Sequence, residues 1–362
     1  MDAGQTDLEG SIRDTLDPFL SERYDFKAAR KDVLCGQVLW HSFADELGIL
    51  GATLPEDVGG LGGGAAESCA IMEMFGRHLV WEPYLATAVI GGRLIQAHDP
   101  HSALLKSIAN GEMTLAVAHG EPMGGFDLAN VKATATLKGN GYTLSGQKTV
   151  VLYGTCAKAF VVIAKSPKGV AAFLVDAGSA GVERTDYRSI GGAPASDITF
   201  SDAPATLLGD ADALSLIEQV FDEATVALCA EACGVMQKLL DITVDYTKER
   251  RQFGRAIAEF QVLQHRMVDM LVEVKQSRAI TRTARIKLAS GDRAATVSAA
   301  KSRVGRACRI VSQSAVQLHG GIGIAEETPV SHYFRRAMMI EQELGSTEFH
   351  LSRYERLELT GY

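Results

Sequence analysis

The sequence predicts an α+β fold in which a helical N-terminal domain, a small antiparallel β-domain and a C-terminal helical bundle follow one another. Apolar residues recur at helical spacing over 1–112, and again over 209–362, where Ala, Leu, Arg and Glu are abundant. Between them, residues 113–208 contain short alternating or apolar runs separated by turn residues, which is typical of β-strands. We therefore predict three domains with these ranges.

The N-terminal range is predicted to be helical because its apolar residues fall three or four positions apart. These positions are Leu8, Ile12, Leu16 and Phe19, then Leu39, Phe43 and Leu47. Residues 54–64 are dense in glycine and predict a loop. Pro83 favours the start of a new helix over 84–98.

The middle range predicts short strands, and the C-terminal range predicts long helices. The strand segments are 131–137, 142–145, 160–163, 172–175 and 198–200, and the helical segments are 212–248, 258–290 and 293–319. Frequent Gly, Pro and Lys between the strands indicate tight turns.

Composition restricts the function classes. The net charge is −8 and the isoelectric point is about 5.6, which opposes a general nucleic-acid footprint. No apolar run approaches the roughly 20 residues of a membrane span, and the acidic N-terminus lacks the pattern of a signal peptide. We expect a cytoplasmic protein without a membrane span.

The six cysteines are Cys35, Cys69, Cys156, Cys229, Cys233 and Cys308, and none forms a Cys-x-x-Cys pair. Cys229 and Cys233 lie four residues apart in an Ala-rich helical stretch. A redox or metal pair is one interpretation, but two small buried residues on one helix face are favoured. We therefore expect reduced thiols and no metal site.

Three stretches carry candidate chemistry. Lys248, Arg250 and Arg251 crowd a helix end, where cations either favour the helix dipole or clamp a pyrophosphate. Residues 317–324 form a Gly-rich helix end whose backbone can approach a ligand, although glycine also simply terminates helices. Within it, His319 is favoured as a structural histidine. The stretch 119–127 is either a ligand-binding loop or an ordinary turn.

Two motifs occur in this domain order: Arg-Gln-Phe-Gly at 251–254 and Gln-Leu-His-Gly-Gly-Ile-Gly at 317–323. On these motifs and this order, the sequence resembles the acyl-CoA dehydrogenases along nearly the whole chain. Segments 81–87, 228–234, 260–270 and 332–336 are similar to the small subunits of two-subunit enzymes such as pimeloyl-CoA dehydrogenase.

The resemblance implies an FAD-dependent oxidoreductase that dehydrogenates an acyl-CoA thioester across Cα–Cβ. It also implies FAD shared between subunits, with an electron-transfer flavoprotein as acceptor. In that pattern the cofactor-binding residues at the nucleotide half of FAD are Arg250, Phe253, Gln317, Gly320 and Gly321.

The family's catalytic base is missing. The usual Glu before Gly-Thr-Ser-Glu is replaced here by Leu344, and the alternative position on an earlier helix corresponds to Ala224. Glu343 and Glu223 are candidates for a displaced base, but each is one residue away. One helical step rotates a side chain by about 100°.

The flavin-ring contacts also depart from the family. Its Thr-Glu-Pro and Gly-Ser-Asp appear here as Gly120-Glu121-Pro122 and Gly125-Phe126-Asp127, and its Trp-Ile-Thr appears at 150–152 as Val-Val-Leu. Residues donated to a neighbour's FAD are thus kept, while those for the chain's own flavin ring and base are lost.

From this asymmetry we hypothesise that the chain is the non-catalytic small subunit of a heterotetramer. Such a tetramer would contain two kinds of acyl-CoA dehydrogenase chain and two flavins. Alternatives are a self-sufficient homo-oligomer with a displaced Glu base, a flavin monooxygenase on the same fold, and a non-enzymatic interaction subunit. Resemblance suggests fatty or steroid-type acyl groups.

Overall fold

The computed structural model describes residues 3–29, 38–139 and 141–359. Cys35 lies outside these residues. The predicted order of a helical segment, a β-sheet and a second helical segment is confirmed. The chain divides into two compact units: Trp81–Ala224 form most of the first, whereas Cys69–Val80 and the residues from Thr225 onward belong to the second.

Short and medium-length helices make up the N-terminal segment. They are α1 (Ala3–Arg23), α2 (Phe26–Ala29), α3 (Trp40–Asp45), α4 (Ala65–His78), α5 (Gly92–His98) and α6 (Ala103–Ala109). The helix expected over 84–98 is present, but its first half, Leu85–Gly91, is a π-helix that runs directly into α5. There the Thr87 hydroxyl both donates to the Leu115 carbonyl and accepts from the Leu115 N–H.

A seven-stranded sheet forms the middle segment. Its strands are β1 (Leu115–Ala118), β2 (Thr134–Lys138), β3 (Gly141–Leu152), β4 (Ala159–Lys165), β5 (Val170–Asp176), β6 (Val182–Arg188) and β7 (Pro194–Leu208). Most pairings are antiparallel, as predicted, but β1 and β2 each pair parallel with β4. Strand β6 was not predicted, because its exposed and mostly polar residues show no apolar alternation.

The sheet curls around an apolar core. Strand β4 pairs with both β2 and β5, and the ladder β2–β3–β7–β5 connects those two strands, so the pairings close on themselves. Phe160, Phe173 and Phe200 are buried inside. This core provides the rigid support for the loops at the ends of the strands.

Long helices form the C-terminal segment: α7 (Leu214–Glu249), α8 (Gln261–Ile286), α9 (Arg293–His319), α10 (Pro329–Gln342) and α11 (Thr347–Leu359). A two-residue hairpin of β8 (Arg251–Gln252) and β9 (Arg255–Ala256) separates α7 from α8. Within the second unit, α4 and α7 approach closely, since a Cβ at Gly234 would lie 2.0 Å from the Glu73 carbonyl oxygen. Among the described residues, no helix combines the length and apolarity needed to cross a bilayer.

The cysteines of α7 pack in the core of the second unit. Cys229 and Cys233 are both buried, and the favoured interpretation as small buried residues agrees with this placement. Burial raises the pKa of the Cys229 thiol to about 12. This thiol is therefore protonated and unreactive at neutral pH.

Candidate functional site

The Arg-Gln-Phe-Gly motif forms the hairpin after α7. Its turn places Phe253 in the left-handed region, with φ of +53°, and leaves this residue 90% exposed. The Phe253 ring meets Phe260 edge-on, at 6.1 Å between centroids, and the Arg255 guanidinium lies over the Phe260 ring at 4.0 Å. A bulky residue held exposed in a strained backbone indicates a contact surface for another molecule.

Arg250 lies immediately before this hairpin and is exposed. Within the part of the chain that the structure describes, no carboxylate lies within ion-pair distance of its guanidinium. Its neighbour Lys248 is 3.9 Å from Asp245. Arg250 is therefore an uncompensated cation, as an anion-binding residue requires.

The second motif is the Gly-rich turn that ends α9. Gly320 has φ of +65°, and a Cβ at Gly320 or Gly321 would meet no atom within 4 Å, so the backbone here is open on the side where a side chain would project. Gln317 is exposed on the last turn of α9. Open glycine backbone beside an amide side chain can accommodate a closely approaching ligand.

His319 and Tyr246 join the two motifs. Their rings stack at 4.3 Å between centroids, and His319 Nδ1 lies 2.8 Å from the Ala315 carbonyl oxygen. Burial lowers the pKa of His319, so the ring is neutral at pH 7. This stack places the end of α7 next to the end of α9, and it gives His319 the structural role that the sequence favoured.

In the first unit, the loop 119–127 is fixed by a buried ion pair. Glu121 Oε1 accepts a hydrogen bond from Lys148 Nζ at 2.7 Å, and its two oxygens also accept from the backbone N–H groups of Ala133 and Lys132. Burial opposes ionisation of Glu121, but the Lys148 ammonium and these N–H groups outweigh it and hold the pKa of Glu121 below its ordinary value. The Glu121 carboxylate is thus fully used inside the protein.

Sequence reasoning missed Lys148, although a signal was present. Lys148 lies four residues after Leu144 in β3, so both side chains point to the face of the sheet that lines the core. The Lys148 side chain is completely buried. A lysine at an inward position requires a buried acid, and Glu121 of the loop 119–127 is that acid.

Apolar side chains occupy the exposed part of this loop region. Met123, Phe126 and Val150 are all exposed, and Met123 and Val150 adopt positive φ values of 54° and 52°. The Val150 N–H donates to Asp197 Oδ1 at 3.0 Å, which holds the strained backbone in place. None of these three side chains carries a hydrogen-bonding group.

The loop after α10 contains Leu344, and three contacts fix its residues. Arg336 donates to Glu343 at 2.9 Å, His350 Nε2 lies 3.0 Å from the Leu344 carbonyl oxygen, and Lys301 Nζ donates to the Gly345 carbonyl at 2.7 Å. Leu344 itself has φ of +56°. Leu344, which the resemblance aligns with the family's base position, is therefore a loop residue with a strained backbone and an aliphatic side chain.

The two carboxylates proposed as displaced bases are both ion-paired. Glu343 shares Arg336 with Glu231, which binds the same guanidinium through both of its oxygens. Glu223 pairs with Arg93 at 3.0 Å, and only 17% of its side chain is exposed. Their assignment as bases stays a prediction, but each would first have to leave a guanidinium.

Comparison with known proteins identifies the family. Three models match in succession: acyl-CoA dehydrogenase N-terminal domain at residues 6–98, middle domain at 116–203 and C-terminal domain at 214–357. The acyl-CoA dehydrogenase FadE27 of Mycobacterium tuberculosis is 30% identical, and the match covers 97% of this chain and 95% of FadE27.

Two solved structures are similar over their whole length. The Tcur3481–Tcur3483 steroid ACAD G363A variant is 31% identical, with a TM-score of 0.89 over 99% of this chain and 98% of that one. The ChsE4–ChsE5 complex from Mycobacterium tuberculosis is 29% identical, with a TM-score of 0.89 over 100% and 98%. The chain is an oxidoreductase of the acyl-CoA dehydrogenase family.

Proposed function

We propose that the chain is the companion subunit of an FAD-dependent acyl-CoA dehydrogenase, in a heterotetramer whose other chain supplies the catalytic base and most of the flavin contacts. The observation that carries this proposal is a contrast between two groups of residues, each within its own unit. The predicted nucleotide-binding residues are open, and Arg250 is an uncompensated cation, whereas the residues at the predicted flavin-ring positions are apolar.

The nucleotide half fits the adenine and pyrophosphate end of FAD. Arg250 offers an unpaired guanidinium to phosphate oxygens, and Phe253 presents an exposed ring. Gln317, Gly320 and Gly321 offer an amide side chain and open backbone within the same unit. These five residues would hold the end of a cofactor bound chiefly by the partner chain.

The flavin-ring half does not fit a flavin in the same way. A flavin ring has several polar edge atoms that require hydrogen bonds, and Met123, Phe126 and Val150 offer none. Glu121 is engaged with Lys148 and two backbone N–H groups. Together these features support a chain that does not hold its own flavin ring.

The carboxylates near the predicted base positions also support the companion-subunit proposal. A general base must reach the substrate's α-proton unencumbered, and Glu223 and Glu343 are each bound by an arginine. Leu344 and Ala224 cannot accept a proton. In the assembled enzyme, bound FAD would supply the hydride acceptor, and Arg250, Phe253, Gln317, Gly320 and Gly321 of this chain would hold its nucleotide end.

The partner and substrate classes follow from the relatives. ChsE4–ChsE5 is a complex of two different chains, and Tcur3481–Tcur3483 is named as a steroid acyl-CoA dehydrogenase. We propose an acyl-CoA substrate of fatty or steroid type, a second acyl-CoA dehydrogenase chain as partner and an electron-transfer flavoprotein as acceptor.

Conservative substitutions of the displaced-base candidates test this assignment in the assembled enzyme. Glu223→Gln and Glu343→Gln should leave kcat of the complex unchanged within about twofold, because general-base catalysis contributes about 10²–10⁴-fold and neither residue supplies it. A loss of about 100-fold or more in either variant, with FAD content unchanged, would contradict the companion-subunit proposal and assign the base to this chain.

A further inference from the structure

One ring stack connects the two predicted nucleotide-binding motifs, which lie far apart in the chain. Tyr246 lies in the last turn of α7, one turn before Arg250, and its carbonyl oxygen accepts the Arg250 N–H at 2.9 Å. His319 directly precedes Gly320 at the end of α9. The Tyr246 and His319 rings stack at 4.3 Å between centroids, with 23° between their planes. Each ring is therefore tied to one motif and packs on the ring tied to the other.

The residue after Tyr246 fixes the direction of its ring. The Thr247 side chain is buried, and its hydroxyl contacts Met267 Sδ of α8 at 3.4 Å. Since the direction of a side chain depends on the rotation of its helix, this contact holds the Tyr246 ring toward α9. The Tyr246 hydroxyl lies 3.5 Å from the His319 carbonyl oxygen, which is long for a hydrogen bond, so the ring contact is the stronger part of the interaction.

His319 is fixed by the backbone around it. A carbonyl oxygen can only accept, so Nδ1 of the neutral imidazole carries the proton and donates it to Ala315 at 2.8 Å. A Cβ at Gly323 would lie 3.0 Å from His319 Cβ and 2.9 Å from the Val316 carbonyl oxygen, so the Gly-rich turn folds back against this histidine. The orientation of the turn therefore depends on where His319 lies.

The spacing between the two motifs matters because a pyrophosphate must meet both at once. Arg250 supplies an uncompensated guanidinium, and Gly320 and Gly321 supply open backbone. Groups that are already held at the right spacing bind a ligand with a smaller loss of conformational freedom. A shift of the α7 end relative to the α9 end would separate the guanidinium from the turn, and the Tyr246–His319 stack directly opposes such a shift.

We propose that Tyr246 and His319 are positioning residues that set the spacing between Arg250 and the Gly320–Gly321 turn for the pyrophosphate of FAD. This proposal rests on the proposed function and assigns a role in it to two residues that carry none of the predicted cofactor contacts. The two rings act through their neighbours, so their replacement changes the affinity for FAD.

The test is an FAD titration of the co-expressed complex after removal of its flavin, followed by flavin fluorescence. Tyr246→Ala and His319→Ala should each raise the Kd for FAD by about tenfold or more. The double variant should bind within about twofold of the weaker single variant, because both changes remove the same contact. Tyr246→Phe keeps the ring and should restore the Kd to within about twofold of wild type.

The matched control is Tyr354→Ala. Tyr354 is a half-buried tyrosine of α11 in the same unit, and its neighbour Arg353 donates to Ser298 near the first turn of α9, at the opposite end of that helix from His319. Its replacement should leave the Kd for FAD within about twofold of wild type. If Tyr246→Ala does not fold, Tyr246→Leu fills more of the space without a planar ring and should still raise the Kd.

Thermal unfolding followed by circular dichroism separates positioning from packing. Folded Tyr246→Ala and His319→Ala complexes that are less stable but bind FAD with the wild-type Kd would overturn the positioning proposal. If Arg250→Gln weakens FAD binding in the same assay, the proposed function stands without it. A Tyr246→Phe complex as weak as Tyr246→Ala would assign the effect to the hydroxyl and overturn the role of the stack. Wild-type affinity in Arg250→Gln as well as in both alanine variants would overturn the nucleotide-binding part of the proposed function too.

Discussion

Lys301 is the most informative residue to replace, because it fixes the loop that carries Leu344. Its side chain is completely buried, and its ammonium donates to the carbonyl oxygens of Ile340, Glu341 and Gly345 at 2.9, 3.1 and 2.7 Å. These carbonyls belong to the C-terminal end of α10 and the loop that follows it. A cation at this helix end satisfies acceptors that have no helical partner.

Lys301→Met keeps the aliphatic stem and removes the three hydrogen bonds. A buried acceptor left unpaired costs about 1–3 kcal/mol, and the relief of desolvating a charge offsets part of this cost. We expect the free energy of unfolding to fall by about 3 kcal/mol and Tm by about 4 °C, because the unfolding entropy grows with chain length.

Chemical denaturation followed by circular dichroism measures this change. Lys168→Met is the matched control, since Lys168 is exposed, and it should alter stability by less than about 0.5 kcal/mol. A Lys301→Met protein as stable as the control would show that the buried ammonium contributes nothing net. The account of a fixed loop at Leu344 would then be wrong.

Further predictions concern the same unit. Arg336→Met should lower the free energy of unfolding by about 3–5 kcal/mol in denaturant titrations, because it leaves Glu231 and Glu343 without their shared guanidinium; an unchanged midpoint would exclude a stabilising role for this network. Burial and the Lys301 charge lower the pKa of His350 to about 3, so the unfolded chain binds a proton below about pH 6.5 that the folded chain does not. Stability should therefore decrease by up to about 1.4 kcal/mol for each pH unit between roughly 6 and 3.5, and His350→Gln should flatten this dependence when unfolding is measured across pH. Arg250→Gln should weaken FAD retention by the assembled enzyme about tenfold or more, as measured by FAD titration, because it removes a charge-assisted phosphate contact; unchanged retention would remove Arg250 from the cofactor site.

The fold could be predicted from sequence wherever local periodicity and burial agree. The helix expected over 293–319 is α9 itself, and the strand expected over 160–163 lies inside β4. Strand β6 could not be predicted, because its residues are exposed and its pairing with β7 is set by tertiary structure. The π-helix over Leu85–Gly91 could not be predicted either, because its apolar pattern does not distinguish it from an α-helix.

The site could be predicted only in part. The Gly-rich turn at the end of α9 was predicted from a local motif, whereas the hairpin of β8 and β9 was not, and the structure leaves both accessible. The ion pairs Arg93–Glu223 and Arg336–Glu343 could not be predicted, because they depend on long-range packing. Only tertiary structure shows that the candidate bases are neutralised within the chain.

The most direct test of the central claim is the FAD stoichiometry of purified protein, measured from the visible spectrum. The lone chain should be colourless, and co-expression with a second acyl-CoA dehydrogenase chain should give a yellow complex with one FAD per pair of different chains. Stoichiometric FAD in the lone chain, reduced on addition of an acyl-CoA, would contradict the companion-subunit account and return Glu223 and Glu343 to consideration as the base.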